Sequence, residues 1–270
     1  MDRENIGPLT EKENIVKALI ETENLFVIIS KRTAIPFVEC DKTTFDDQVL
    51  VFDKPEYVHN VLKRLYEEKQ PVDAAVIARK ERINFFASLC TMGVNCVLFN
   101  GYSEAEQRIQ LDDIIRAPKG IMPDGQPWIE NGAFHLTAIY FLQEIAKNPT
   151  EEAAPTIEAL KEELLAHYSK GNFIIKLNDK GQLPIIKYPN GDSYQPIFTD
   201  IFEASKFNVE GTANIGAILA EKIPNVLSPN AKGVVVNPAG IGLQLPILRP
   251  TMQQPQPRPV QPAAAPQEEN

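Results

Sequence analysis

Few residues of this 270-residue chain are spaced for chemistry. Its three histidines, His59, His135 and His167, lie far apart, one in each of three helical stretches. No two have metal-ligand spacing and no His-Glu-x-x-His occurs, so no metal site is read here. The cysteines, Cys40, Cys90 and Cys96, lack Cys-x-x-Cys spacing. A thiol nucleophile needs a histidine beside it and an electropositive surround that holds the thiolate. Cys96 instead sits in the apolar run Val94–Phe99, which favours the neutral thiol. No Gly-x-Ser-x-Gly is present. The carboxylate pairs Asp46-Asp47 and Asp112-Asp113 are adjacent residues, which point apart on a strand or sit on a turn, so both read as solvated surface. Arg79, Lys80 and Arg82 form the densest basic spot; Glu81 interrupts them, and a solvated helix face is expected.

The stretch Asn237-Pro-Ala-Gly-Ile-Gly242 follows an apolar strand and invites a nucleotide-loop reading. Phosphate cradling requires the glycines to open a helix, whose N-terminus supplies donors and positive dipole. Here Leu243-Gln-Leu-Pro246 follows, which is strand-like, so a hairpin with left-handed glycines fits better and no cofactor is expected. Thr199 and Asp200 fit the start of a helix, with Asp200 as N-cap. Asn237 and Thr199 remain the candidate binding residues. Asn237 is a turn asparagine on one reading and a ligand-facing amide on the other.

The elements that position these residues occur twice. Leu25-Phe-Val-Ile-Ile29, Ala34-Ile-Pro-Phe-Val38 and Gln48-Val-Leu-Val-Phe-Asp53 find echoes in Asn172-Phe-Ile-Ile-Lys176, Leu183-Pro-Ile-Ile-Lys187 and Gln195-Pro-Ile-Phe-Thr-Asp200. Phe26 aligns with Phe173, Pro36 with Pro184 and Phe52 with Phe198. Asp53 with Glu56, and Asp200 with Glu203, both have capping-box spacing. Val97-Leu-Phe-Asn-Gly101 matches Val234-Val-Val-Asn-Pro238, and each half closes on an alternating strand. Each half opens with a helix, through Ile15, Leu19 and Ile20 in one and Leu160, Leu164 and Tyr168 in the other. An extra helix near Ala133–Lys147, apolar over a wide face, suits burial between the halves. Ala74–Ala78 reads as either strand or helix.

Composition bounds the class. At 43% hydrophobic and 23% charged residues the chain is globular. A net charge of −9 disfavours nucleic acid and anionic membrane surfaces. No apolar run is long enough to span a bilayer, and no signal peptide is visible. An odd number of cysteines then reads as reduced thiols in the cytoplasm. Turn residues crowd Ala117–Gly132, with Trp128 expected to anchor that linker on a domain surface. From Pro250 onward proline, glutamine and alanine dominate, and a disordered tail is expected.

The pieces Leu183-Pro-Ile, Pro196-Ile-Phe-Thr-Asp200 and Gly233-Val-Val-Val-Asn-Pro238 resemble the SseB family, named for enhanced serine sensitivity. The first half resembles a degenerate copy: its strand lacks the proline and threonine, and Asn100-Gly101 replaces Asn-Pro. The resemblance implies a bacterial, cytosolic α+β protein and no particular reaction. The expected plan is two tandem α+β modules, residues 1–116 and 154–249, joined by a linker and helix over 117–153 and followed by a tail over 250–270. Each module is a small mixed or mostly antiparallel sheet with helices packed on it. The expected function is non-catalytic binding or adaptor work with a protein partner. The alternative is a small-molecule sensor or enzyme using a cleft between the modules. Convergence of Asn237, Thr199 and a histidine or cysteine in a deep pocket would favour that alternative.

Overall fold

The computed structural model describes residues 10–117, 128–147, 149, 151–208 and 214–247. The expected tail over 250–270 and residues 118–127 of the linker lie outside them. The architecture is α+β, as the alternating and helical periodicities require. Among the described residues no helix is long and apolar enough to cross a membrane.

Helix α1 (Glu11–Glu21) starts at a capping box: Thr10 accepts from the Glu13 N–H, and the Glu13 carboxylate reaches back to Thr10. Strands β1 (Asn24–Ser30), β2 (Val38–Cys40) and β3 (Asp47–Phe52) follow; β1 and β2 each pair antiparallel with β3, so the expected meander is not formed. Helix α2 (Pro55–Glu67), strand β4 (Val72–Ala78) and helix α3 (Arg82–Thr91) then lead to β5 (Cys96–Phe99), β6 (Gln107–Gln110) and the short α4 (Leu111–Ile114). The sheet order is β4-β1-β3-β5-β6, with β2 also on β3. Only β3 and β5 are parallel within it. Val49, Leu50, Val51 and Phe52 are all fully buried, as a central strand covered on both faces demands. Tyr57, Val58, Val61 and Leu65 of α2 cover one face, through Ile28, Leu50 and Phe52. Phe86 and Leu89 of α3 cover the other, through Leu25, Val27 and Val49. The stretch Ala74–Ala78 is strand β4, because β1 pairs with its whole length.

The second half runs α6 (Ala154–Lys170), β7 (Asn172–Leu177), β8 (Ile186–Lys187), β9 (Ser193–Ile197), α7 (Ile201–Ser205), β10 (Asn214–Leu219), α8 (Ile223–Val226), β11 (Gly233–Val236) and β12 (Leu243–Pro246). Its strands form a β10-β7 pair and a β12-β11-β9-β8 sheet, with β9 and β11 parallel. One bridge, Ile174 to Phe198, joins the two. Traced across that bridge, the strand order is the same as in the first half.

The registers correct the residue pairing expected from sequence. Leu25 lies opposite Ile77 and Phe173 opposite Ile218, so Leu25, rather than Phe26, is the counterpart of Phe173. Phe26 faces Phe52 as Ile174 faces Phe198. A one-residue slip puts a side chain on the opposite face: Leu25 and Phe173 are fully buried, whereas Phe26 is half-buried against α2. The same slip affects the helix starts. Asp53 corresponds to Thr199, because each donates its N–H to the side chain of the asparagine ending the neighbouring parallel strand. Asp53 therefore caps nothing. The N-cap of α2 is Lys54, without a side-chain bond.

Helix α5 (Gly132–Ala146) lies between the halves and packs on both α3 and α6. Phe134, Ala138, Ile139 and Leu142 are buried in one continuous core that draws on both sheets. Phe134 meets Phe173 edge-on at 5.6 Å, with Tyr168 of α6 beside both. Its polar residues are equally engaged. The Gln143 amide donates to the Val38 carbonyl at 2.8 Å and accepts from the Val38 N–H at 3.0 Å. Tyr140 donates to Asp47. Trp128 packs against Ile129, Ile174 and Phe198 while its indole N–H donates to Glu130, anchoring that end of the linker as expected. Replacing Gln143 by alanine leaves a buried N–H and C=O of Val38 without partners. A loss of about 1–3 kcal/mol is expected, read as a lowered urea midpoint with the far-ultraviolet circular dichroism unchanged.

Candidate functional site

Asn237 ends β11 in the left-handed region, at φ 48. Asparagine tolerates that conformation because its short amide bonds locally. Its N–H donates to the Ile197 carbonyl at 3.0 Å. Its Oδ1 accepts the Thr199 N–H at 2.9 Å, and its Nδ2 donates to Thr199 Oγ1 at 2.8 Å. Asn237 thus clips the ends of the two parallel strands together. Asn100 does the same in the first half: φ 52, N–H to the Val51 carbonyl, Oδ1 accepting from the Asp53 N–H at 3.1 Å. The Gly-x-Gly segment closes the expected hairpin. The N–H groups of Gly240 and Gly242 return to the Asn237 carbonyl, and β12 pairs antiparallel with β11. Only Gly242 takes a positive φ, +59.

Around this clip lies a buried polar network. Thr199 Oγ1 donates to Asp200 Oδ2 at 2.7 Å, and Asp200 Oδ1 accepts the Glu203 N–H at 3.0 Å as the N-cap of α7. The expected return bond of a capping box is absent here, since the Glu203 carboxylate pairs with Lys206 instead. His135, from α5, places Nδ1 3.3 Å from Thr199 Oγ1 and 3.8 Å from Asp200 Oδ2. The N-cap of α5, Asn131, donates to the carbonyls of Asn172 and Thr199. Asn237, Thr199, Asp200 and His135 are all 0% exposed. Burial pushes the Asp200 carboxyl up, but the nearby charge of His135, with the bonds from Thr199 and Glu203, holds it below its ordinary 3.8.

A threonine, a histidine and an aspartate in contact invite comparison with an activated nucleophile. Activation requires the hydroxyl proton to point at the base. Here that proton goes to Asp200, and Thr199 Oγ1 accepts from Asn237. The convergence is real, but it is closed to solvent and wired as a joint between α5, β9, α7 and β11. His135 was not singled out by sequence, because a histidine within an apolar helix face gives no local signal of its partner.

Other expectations need correction. Asp46 is buried, with donors from Thr44, Asn95 and Gln110. Asp47 receives the Tyr140 hydroxyl. Arg79 and Lys80 are exposed, but Arg82 is 1% exposed and donates to the Leu19 carbonyl at the end of α1, so the basic spot is no uniform solvated face. The three cysteines are unpaired. Burial raises all three thiols, Cys96 to about 12, which keeps them protonated at neutral pH. Among the described residues no group of three or more His, Cys, Asp or Glu could hold a metal ion.

The open concave surface lies elsewhere. A groove of about 690 Å3 separates the halves, walled by Val27 and Ile29 of β1, Ala75 and Ile77 of β4, Phe85 of α3 and Phe202 of α7. A second, of about 580 Å3, lies in the second half between Ile175 and Leu177 of β7 and Val226 and Leu227 at α8. By register, Ile175 and Leu177 are the counterparts of Val27 and Ile29. Asn237 and Thr199 line neither groove.

Because the folded-state pKa of Asp200 lies below its unfolded value, its stabilisation is complete above the unfolded value and is lost as pH falls through the folded one. Urea midpoints of the native chain should therefore fall on acidification below about pH 4. Asp200→Asn should be less stable at neutral pH by about 1–3 kcal/mol and lose less on acidification. Parallel pH curves for the two proteins would contradict the assignment.

No protein-family profile matches the sequence, and no curated protein is similar to it. Two solved structures show a low-scoring likeness. Tic22 from Plasmodium falciparum is 12% identical, with 81% of this chain and 89% of that chain covered, at a TM-score of 0.22. Anabaena Tic22, a protein of protein transport, is 8% identical, with 80% and 85% covered, at a TM-score of 0.21. At such scores neither likeness carries an argument about this chain.

Proposed function

We propose that the chain is a non-catalytic binding protein, built from two copies of one SseB-like module, that receives an apolar partner in the groove between them. The groove is the observation that carries this reading. It is apolar over most of its wall and shared by both halves, and domain junctions are favoured binding places. Asn237, Thr199, Asp200 and His135 are sealed from solvent, and the first three are bonded to one another. The shared strand order, the matched clips at Asn100 and Asn237 and the second groove at matched positions support the duplication. The unpaired, protonated thiols fit a reducing cytoplasm. The net charge of −9 disfavours nucleic acid and anionic lipid. A second reading, a sensor of a small apolar molecule, draws on the groove volume, which falls within the roughly 300–1,000 Å3 of small-ligand sites.

The uncharged dye Nile red tests the groove. It should bind the native protein saturably with enhanced fluorescence. Phe202→Asp, a half-buried position of α7 in the groove wall, should weaken binding about tenfold, the equivalent of about 1.4 kcal/mol, with the thermal midpoint little changed. Undiminished binding would exclude the groove.

A further inference from the structure

The groove wall contains one residue that alternation should exclude. Along a strand, successive side chains point to opposite faces. Ala75 and Ile77 belong to the core under α3, on the groove side. Val76 points to the other face and is 55% exposed, yet it lines the groove too. It can do so only along the outer side of β4, so the groove wraps round the edge of the sheet.

The hydrogen bonds fix which backbone groups lie on that edge. In an antiparallel ladder the N–H and C=O of one residue point the same way, and successive residues alternate. Ile28 gives its carbonyl to Phe37, and Ser30 gives its N–H to the Ile35 carbonyl, so both face away from β4. Leu25, Val27 and Ile29 therefore bond to Ile77, Ala75 and Asp73, their partners in register. Ala74, Val76 and Ala78 must turn their N–H and C=O outward. The N–H of Ala74 is taken at 2.9 Å by the carboxylate of Asp73, which blunts that end of the edge. Among the described residues β4 pairs with β1 alone, and no bond closes the outward groups of Val76.

We propose that an extended, uncharged segment of a partner polypeptide docks here as an added strand. It would exchange backbone hydrogen bonds with Val76 and lay alternate apolar side chains into the groove. This deepens the binding reading above and rests on it. Charge selects the occupant: the groove wall holds one acid, Glu81, and one base, Lys206, and Lys206 is already paired with Glu203. The chain's own tail is a poor candidate. From Pro250 onward its only larger apolar residues are Met252 and Val260, eight positions apart, so it cannot lay alternate apolar side chains into the groove.

The test uses the full chain and a fluorescein-labelled heptapeptide of alternating serine and valine, followed by fluorescence anisotropy. A second peptide carries an N-methyl group on every backbone nitrogen. The native protein should bind the first peptide at least tenfold more tightly than the second. Val76→Pro, which removes the outward N–H and leaves the β1 ladder intact, should weaken binding at least tenfold, whereas Val76→Ala should not. Ala75→Asp should abolish it. The N-methyl comparison stands even if Val76→Pro fails to fold. If both peptides bind alike while Ala75→Asp still abolishes binding, the groove takes apolar ligands without strand addition, and this proposal alone falls. If Ala75→Asp binds normally, the groove reading falls as well. No binding of the plain peptide, or a dimer in sedimentation that Val76→Pro dissociates, overturns the proposal; the dimer would make a second copy the occupant.

Discussion

The structure depends on helix α5 being bonded to both halves at once. Its apolar surface alone would bury it without fixing how it sits, because dispersion and hydrophobic contact are non-directional. Direction comes from its polar side chains. Gln143 and Tyr140 reach β2 and the start of β3. Asn131 and His135 reach the start of β7 and the end of β9. In a buried setting each such bond is costly to leave unmade, so the set admits one spacing and one rotation of the two sheets. The groove between the halves has a defined width because α5 imposes it.

Within each half the same device recurs on a smaller scale. The parallel pairs β3–β5 and β9–β11 end in Asn100 and Asn237, whose left-handed backbone lets a side-chain amide clip the neighbouring strand. What differs between the halves is the helix that follows. Helix α2 covers a full sheet face over thirteen residues, whereas α7 has five. The shorter helix is offset by Trp128 and Ile129, which pack from the linker onto Ile174 and Phe198. Helix α7 also forms one wall of the inter-half groove, through Ile201 and Phe202.

Much of this is legible in the sequence, for reasons of range. The strands of the two halves, the central helix, the Asp200 cap and the closing hairpin rest on patterns a few residues long: alternation, helical periodicity, N-cap chemistry and turn glycines. Register was less legible. Aligning Phe26 with Phe173 and Asp53 with Asp200 satisfies residue identity but misses by one position, and only the ladders reveal it. Burial of the polar residues Asp46, Arg82 and His135 is not legible at all, because each finds a hydrogen-bond partner far away in the chain. The groove belongs to the same class, since it is made of residues from β1, β4, α3 and α7.

The central claim is that α5 makes the two halves one cooperative body. Two native probes report on them separately. Trp128, the only tryptophan, packs against the second half, and Cys96 is wholly buried in β5 of the first. Urea unfolding should be followed by Trp128 fluorescence and by pulsed thiol labelling, with Cys96 resolved by peptide mass spectrometry. Coincident transitions with one midpoint are predicted. Exposure of Cys96 at a urea concentration where the Trp128 signal is still native, or the reverse, would show that the halves fold independently and would contradict the account.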